Sequence, residues 1–94
     1  MKVIITARAE ADLAEIAARV AQDDPVAAIM LIDRIIDTLE RQLSARTHSG
    51  RPGRAATTRE LVVQPSYIAA YRVEADNVTI LHIRHAARLW PKHL

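Results

Sequence analysis

The chain has 94 residues and a mass of 10.5 kDa, enough for one domain around one hydrophobic core. Half of the residues are apolar, and with no Phe, one Trp and two Tyr the core must be almost wholly aliphatic. The lack of cysteine excludes disulfides, thiolate metal sites and cysteine nucleophiles. No apolar run approaches a membrane span, and acidic residues follow the N-terminus too closely for a signal peptide. The composition predicts a soluble, cytoplasmic protein with a single domain over residues 1–94.

Charge is unevenly distributed along the chain. Residues 1–44 carry five basic and eight acidic side chains, a net charge of −3, whereas residues 45–94 carry eight basic and three acidic ones, a net charge of +5. Eleven of the thirteen cations are Arg, whose guanidinium forms forked hydrogen bonds with carboxylates and phosphates. The basic half could therefore bind an acidic protein segment or a nucleic-acid backbone, and the composition leaves that choice open.

The N-terminal half predicts a strand followed by a helical hairpin. Residues 2–5 form a short apolar run, and Thr6 is suited to cap a helix over about 7–22. An Asp-Pro pair then begins a second helix over about 25–45, since Asp is a common N-cap and Pro fits the first helical turn. Both helices carry apolar stripes that would face each other across the short link. The stripes comprise Ala9, Leu13, Ile16 and Val20 in the first helix and Ala28, Ile29, Ile32, Ile35, Ile36, Leu39 and Leu43 in the second.

The C-terminal half predicts strands. Residues 44–57 contain both glycines and form a Gly/Pro-rich loop. Beyond this loop the apolar period changes to two, and the runs over 58–63, 67–73 and 77–85 predict three strands joined by short turns. The order β-α-α-β-β-β predicts an α+β fold, with the helical hairpin packed on one face of a small, mostly antiparallel sheet. The first strand must join this sheet, at its edge or in its middle.

The last predicted strand carries two histidines and an arginine. Regular alternation divides its side chains between two faces. One set comprises Val78, Ile80, His82 and Arg84, and the other comprises Thr79, Leu81, Ile83 and His85. His82 and His85 therefore lie on opposite faces and do not form a metal pair, while His85 can lie in the register that faces the core. The sequence predicts no metal site and no cofactor.

The order of these features resembles the RelE/ParE superfamily of bacterial toxins from type II toxin–antitoxin systems. The resemblance rests on a strand, a helical hairpin whose second helix opens at Asp-Asp-Pro, the GRPGR loop at 50–54 and the Arg-Glu-Leu of 59–61. The strand YIAAYRV and the final segment ILHIRHAARLWP complete it. It extends from Val3 to about Trp90, and the loop with the strand after it is closest to the ParE branch.

The resemblance implies a growth-inhibiting toxin that a cognate antitoxin neutralises through an acidic C-terminal segment, in a hetero-oligomer. ParE-branch toxins act on DNA gyrase, whereas RelE-branch toxins are ribosome-dependent mRNA endoribonucleases, and the shared fold does not separate the two activities. A non-toxic module that only binds an antitoxin is the third alternative. Direct operator-DNA binding by this chain alone is not expected, because no helix-turn-helix is present and the helices lie in the acidic half.

Candidate site residues come from the basic C-terminal half. Metal-independent RNA cleavage needs cations, a base and an acid, and RelE-type chains supply basic residues and a C-terminal Tyr or His. The corresponding candidates here are Arg54, Arg59, Arg72, Arg84 and His85, with Glu60 as a base. The loop after the second helix lacks Lys and no Tyr follows the last strand, which favours a ParE-like protein without chemistry of its own. The candidates for antitoxin or target contact are Arg51, Arg54, Arg59, Arg72, Arg84, Arg88 and Trp90. Glu60 could equally pair across strands with Arg72 or Arg84.

Overall fold

A computed structural model of the protein describes residues 2–47, 50–53 and 57–86. The elements in chain order are β1 Lys2–Ile5, α1 Ala7–Ala21, α2 Pro25–Ala45, β2 Arg51–Pro52, β3 Arg59–Gln64, β4 Tyr67–Val73 and β5 Asn77–His85. Within this part of the chain the strands form one sheet in the order β1-β5-β4-β3-β2. β1 runs parallel to β5 and the other neighbours are antiparallel, which confirms the predicted α+β architecture and places the first strand at the sheet edge.

β2 was not predicted. It lies inside the Gly/Pro-rich loop and consists of two residues that pair with β3, Arg51 opposite Glu60 and Pro52 opposite Arg59. A strand this short carries no periodic pattern, and Pro52 is tolerated because β2 is an edge strand that needs no second ladder partner. Neither helix in the described part of the chain has the length and hydropathy needed to cross a membrane.

Both helices begin at the predicted caps. The Thr6 hydroxyl accepts a hydrogen bond from the Ala9 backbone N–H at 3.2 Å, and the Asp24 carboxylate accepts one from Ala27 at 3.0 Å. Each cap satisfies an N–H that the first helical turn cannot pair internally. Thr6 Oγ1 also donates to the Ile80 carbonyl at 2.7 Å, so the start of α1 is fixed to β5 where β1 ends.

The core lies between the hairpin and one face of the sheet. Its buried members are Ala9, Leu13, Ile16, Ile35, Leu39, Leu43, Leu61, Val63, Ala69, Tyr71, Val78, Ile80 and Ile83. The predicted stripes therefore supply the helical side of the core, with Ile29 as an exception at 65% exposure. Ile29 follows the buried Ala28, and successive helical residues are rotated by about 100°. Alignment of Ala28 with the core thus turns Ile29 towards solvent.

A β-bulge interrupts the regular alternation of β5. Leu81 is an extra residue between the partners of Ala70 and Tyr71, and beyond it the side chains exchange faces. His82 and Arg84 therefore lie on the sheet face that is turned away from the helices. The prediction that His82 and Arg84 share a face with Val78 and Ile80 is therefore wrong. The core face of β5 carries Val78, Ile80, Ile83 and His85.

The bulge also marks the point where β5 loses its outer neighbour. β1 ends with Ile5 opposite Ile80, so among the described residues no strand lies beside 81–85 on that side. Helix α1 lies beside this edge, and the Asp12 carboxylate accepts a hydrogen bond from the Ile83 backbone N–H at 2.9 Å. Asp12 thus takes the place of a strand partner and leaves a cleft between α1 and β5.

Candidate functional site

Two arginines converge on one buried carboxylate on the sheet face away from the helices. Glu60 is only 7% exposed, and its Oε1 lies 3.4 Å from Arg51 Nη2 and 3.5 Å from Arg84 Nη2. Arg84 reaches β3 from β5 across Ala70, whose small side chain lies in register between Glu60 and His82. The predicted pairing of Glu60 with Arg84 is confirmed. We call Arg51, Glu60 and Arg84 the Glu60 cluster.

The Glu60 cluster carries a net positive charge beside an apolar surface. Arg51 is 65% exposed, and a shallow pocket of about 260 Å³ opens next to it. Val62, which is exposed, and the buried Ile68 contribute to the pocket lining. Guanidinium groups next to exposed aliphatic side chains can bind an acidic segment that also carries apolar residues.

Arg59 lies on the opposite, helix-facing side of the same strand. Its Nε and Nη2 donate to the Gly50 carbonyl at 3.0 and 2.7 Å, and the Gly50 N–H donates to the buried Tyr71 hydroxyl at 2.8 Å. These contacts fix the backbone that leads from α2 into the sheet. The prediction that Arg59 and Glu60 face opposite ways is therefore confirmed, and the Arg59 guanidinium is engaged within the fold.

The cleft between α1 and the open edge of β5 has a volume of about 330 Å³. It brings together side chains of both signs, and we call it the α1–β5 cleft. Its lining comprises Arg8, Asp12, Glu15, Ile16, Arg19, Tyr67, His82, Ile83, Arg84 and His85. Arg84 and His85 were predicted as site residues, whereas the helical members and His82 were not. Arg8 and Asp12, like Glu15 and Arg19, are four residues apart, so the sequence indicates that each pair shares a helix face. It does not indicate which strand edge lies next to that face.

Tyr67 and His85 form one end of the α1–β5 cleft. Their ring centroids are 5.0 Å apart and their planes are nearly perpendicular, at 84°, which is an edge-to-face contact. Tyr67 and Tyr71 share one face of β4 as predicted, with Tyr71 fully buried and Tyr67 at the margin of the core. His85 accordingly lies in the core-facing register.

His82 is the titratable group whose environment is most clearly perturbed among the described residues. Burial lowers the pKa of the imidazole, and the positive charge of Arg8 lowers it further. The charge of Asp12 raises it, Arg84 lowers it and Glu60 raises it, in decreasing order of effect. The net change is downward, so His82 is neutral at pH 7.

We expect His82 to make the protein less stable as the pH falls below neutrality. Because its pKa is lower in the folded state than in the unfolded state, the unfolded state binds more protons between the two values. The free energy of unfolding then rises with pH through this window and levels off above about pH 7, beyond the unfolded pKa of about 6.5. Urea unfolding between pH 5.5 and 7.5 measures this slope. His82→Gln should flatten it, and equal slopes in variant and parent would contradict the assignment.

The predicted site residues do not meet at one point. Arg84 and His85 line the α1–β5 cleft, and Arg84 also belongs to the Glu60 cluster with Arg51. Arg59 lies across the sheet at Gly50, and Arg72 pairs in register with Thr79 on β5. Three further candidates lie outside the described residues, namely Arg54, Arg88 and Trp90. No group of three or more His, Asp or Glu side chains suited to a metal ion occurs in the described ranges.

The hairpin presents an apolar groove on its outer side. The groove has a volume of about 640 Å³, and small side chains at the α1–α2 contact open it to solvent. Its lining comprises Ala14, Ala17, Ala18, Ala21, Pro25, Ala28, Ile29, Ile32 and Asp33. Val26 and Met30 are also exposed on α2. We call this surface the hairpin groove; an exposed apolar surface of this kind is typical of a protein-binding site.

The sequence matches a known protein family over nearly its whole length. A family model described as the ParE toxin of type II toxin–antitoxin systems, parDE, matches residues 3–90. The chain belongs to this ParE family. Y4kP of Sinorhizobium fredii is 44% identical over 90 residues, which cover 95% of this chain and 92% of the relative. Toxin RelE2 of Caulobacter vibrioides is 42% identical over 88 residues, which cover 94% and 98%. This ParE-family chain is the toxin component of a type II toxin–antitoxin system.

Solved structures share the fold of this ParE-family toxin. A chain of the chromosomal ParDE toxin–antitoxin system from P. aeruginosa superposes with a TM-score of 0.81 at 26% identity, covering 90% of this chain and 95% of that chain. The YoeB/ParE toxin from Agrobacterium tumefaciens has a TM-score of 0.59 at 17% identity, covering 90% and 98%, which is a likeness in fold alone. The resemblance to the RelE/ParE superfamily is confirmed.

Proposed function

We propose that this ParE-family toxin inhibits DNA gyrase by binding it, without catalysis of its own, and that a cognate antitoxin neutralises it in a hetero-oligomer. Membership of the ParE family supports the choice of target. The candidate catalytic residues are spread over both faces of the sheet, and this observation favours binding over catalysis.

Cleavage of a phosphodiester without a metal requires a base, an acid and cations around a single phosphate, each within hydrogen-bond reach. Glu60 and His85 lie on opposite faces of the sheet and on strands separated by β4, a lateral distance of roughly 10 Å. Arg59 is bound to the Gly50 carbonyl on the helix-facing side of β3. This separation of Glu60, His85 and Arg59 supports binding over catalysis.

Two surfaces suit an antitoxin. The hairpin groove can accept an apolar helix face, and the Glu60 cluster offers Arg51 to a carboxylate of an acidic C-terminal segment. A segment that binds both surfaces would cover the outer side of the hairpin and the sheet face away from it. The electrostatic contribution to antitoxin binding should weaken as the salt concentration rises, because Arg51 is mostly exposed and its charge is screened.

The deciding experiment is a supercoiling and DNA-cleavage assay of gyrase with increasing amounts of the purified chain. We expect loss of supercoiling or accumulation of cleaved DNA, and relief of either effect when the antitoxin is added. The antitoxin alone is the control. A folded toxin that leaves both reactions unchanged would contradict the proposal.

A RelE-like, ribosome-dependent endoribonuclease is the second candidate. His82 and His85 line the α1–β5 cleft together with Arg8 and Arg19, so two imidazoles and two exposed guanidinium groups border one cavity. Primer extension on messages translated with the toxin would reveal cleavage at the ribosomal A site. Under this alternative, folded His85→Ala protein loses cleavage, whereas under the gyrase proposal it inhibits gyrase like the parent.

A further inference from the structure

The outer side of the hairpin carries protruding apolar side chains next to the hairpin groove. Three of the five exposed large apolar side chains among the described residues lie within one short stretch of α2, namely Val26 and Ile29 at 65% exposure and Met30 at 51%. Ile29 also lines the hairpin groove, and the lining on α1 consists of alanines. A convex apolar group and a concave apolar surface are therefore continuous on one face, which suits a self-complementary contact between two identical chains.

The size of this face suits a weak pair. Helices of 15 and 21 residues are roughly 22 and 31 Å long, and packed helices lie about 9 Å apart. Pairing of two such faces buries roughly 1,000–1,200 Å² in total, which is at the lower limit of specific interfaces. We therefore expect association in the micromolar range and not a permanent dimer.

Charge distinguishes the two possible directions of pairing. If both hairpins ran the same way, their Asp23-Asp24 links would meet and the carboxylates would repel one another. In the antiparallel arrangement, a two-fold axis at Ile29, the middle of the groove lining on α2, brings Asp24 of one copy level with Arg34 of the other. Both residues are exposed and lie five positions from Ile29, roughly 7.5 Å along the helix axis. Opposite charges then meet at two symmetric places.

The charged side chain in the groove lining fits the same arrangement. Asp33 and Pro25 are each four positions from Ile29, so Asp33 of one copy lies level with Pro25 of the other. Pro25 is the first residue of α2, and the N-terminal turn of a helix favours a nearby anion. The antiparallel pair therefore places Asp33 where its charge is favourable.

We propose that two copies of this toxin pair through the hairpin groove when it is free of antitoxin, antiparallel about a two-fold axis at Ile29. Ile29 and Met30 of each copy pack against the apolar face of the other and are removed from water. The pairing is independent of the gyrase proposal, because it concerns the toxin alone.

Sedimentation velocity of the purified chain, from low micromolar to several hundred micromolar concentration and without antitoxin or gyrase, tests the pairing. The groove variant is Ile29→Glu, and its matched control is Val62→Glu on the sheet face away from the helices. Both replace an exposed aliphatic side chain by a carboxylate, so the two variants have the same net charge. A second pair tests the direction. Arg34→Glu reverses the cation level with Asp24, whereas Arg41→Glu reverses one that lies beyond the link of the other copy. Circular dichroism establishes that all four variants are folded.

We expect the weight-average mass of the parent to rise from one chain towards two across this range of concentration. The dissociation constant should increase about ten-fold or more in Ile29→Glu and about three-fold or more in Arg34→Glu, with both controls within about two-fold of the parent. A parent that stays monomeric at every concentration would overturn the pairing, and so would equal losses in Ile29→Glu and Val62→Glu. Equal losses in Arg34→Glu and Arg41→Glu would overturn the antiparallel arrangement.

Discussion

Gly50→Ala is expected to lower the free energy of unfolding by about 3–5 kcal/mol. A methyl group on Gly50 would lie 2.5 Å from the Glu60 carbonyl oxygen, 2.7 Å from the Tyr71 hydroxyl and 2.8 Å from a ring carbon of Tyr71. The carbonyl belongs to a paired strand and the ring is fully buried, so neither can move without disturbing the core. The substitution would also break the buried hydrogen bond from Gly50 to Tyr71 and displace the carbonyl that binds Arg59.

Urea unfolding and thermal melting of the purified variant measure this effect. A domain of this size loses roughly 4–8 °C in Tm for each kcal/mol, so we expect a fall of more than about 12 °C. Gly53→Ala is the matched control, since its added methyl would first meet the Thr58 side-chain hydroxyl, which can rotate, and its effect should be smaller. An equal loss at the two glycines, or a fall at Gly50 below that at Gly53, would contradict this account.

The elements of the fold could be predicted because their signals are local. Thr6 and the Asp-Pro pair before α2 are N-caps whose function needs no tertiary partner, and both helices begin where these residues indicate. Period-two alternation likewise placed β3, β4 and β5 within one residue of their observed limits. The family resemblance depends on the order of these same elements, so it too was accessible from the sequence.

The site could be predicted only in part, because its geometry depends on contacts that are distant in sequence. The bulge at Leu81 follows from packing against β4, and strict alternation therefore misplaced His82 and Arg84. The α1–β5 cleft exists because β1 ends opposite Ile80 while β5 continues. Gly50 does not have a positive φ. Position 50 requires glycine because β3 and β4 approach it closely, and not because of turn chemistry.

Glu60→Gln is expected to destabilise the toxin by about 2–4 kcal/mol. The substitution removes the negative charge of a buried carboxylate, so the mostly buried Arg84 guanidinium loses its counter-charge. Arg84 is 18% exposed and has little access to water for compensation, whereas Arg51 is exposed and can be rehydrated. Arg51→Gln, the control, should therefore cost less than about 1 kcal/mol. Urea unfolding at pH 7 gives both values. A loss at Glu60 no larger than the loss at Arg51 would contradict the buried-charge argument.

A double variant separates stability from activity at this position. Glu60→Gln combined with Arg84→Met removes both charges, and buried ion pairs replaced by neutral side chains of similar size are often no less stable than the parent. We therefore expect the double variant to recover most of the stability lost in Glu60→Gln. If Glu60 acts only through the fold, gyrase inhibition per folded molecule of Glu60→Gln at low temperature should equal that of the parent. If Glu60 is instead a catalytic base, folded Glu60→Gln protein should lose the cleavage of translated messages. That outcome would support the ribonuclease alternative.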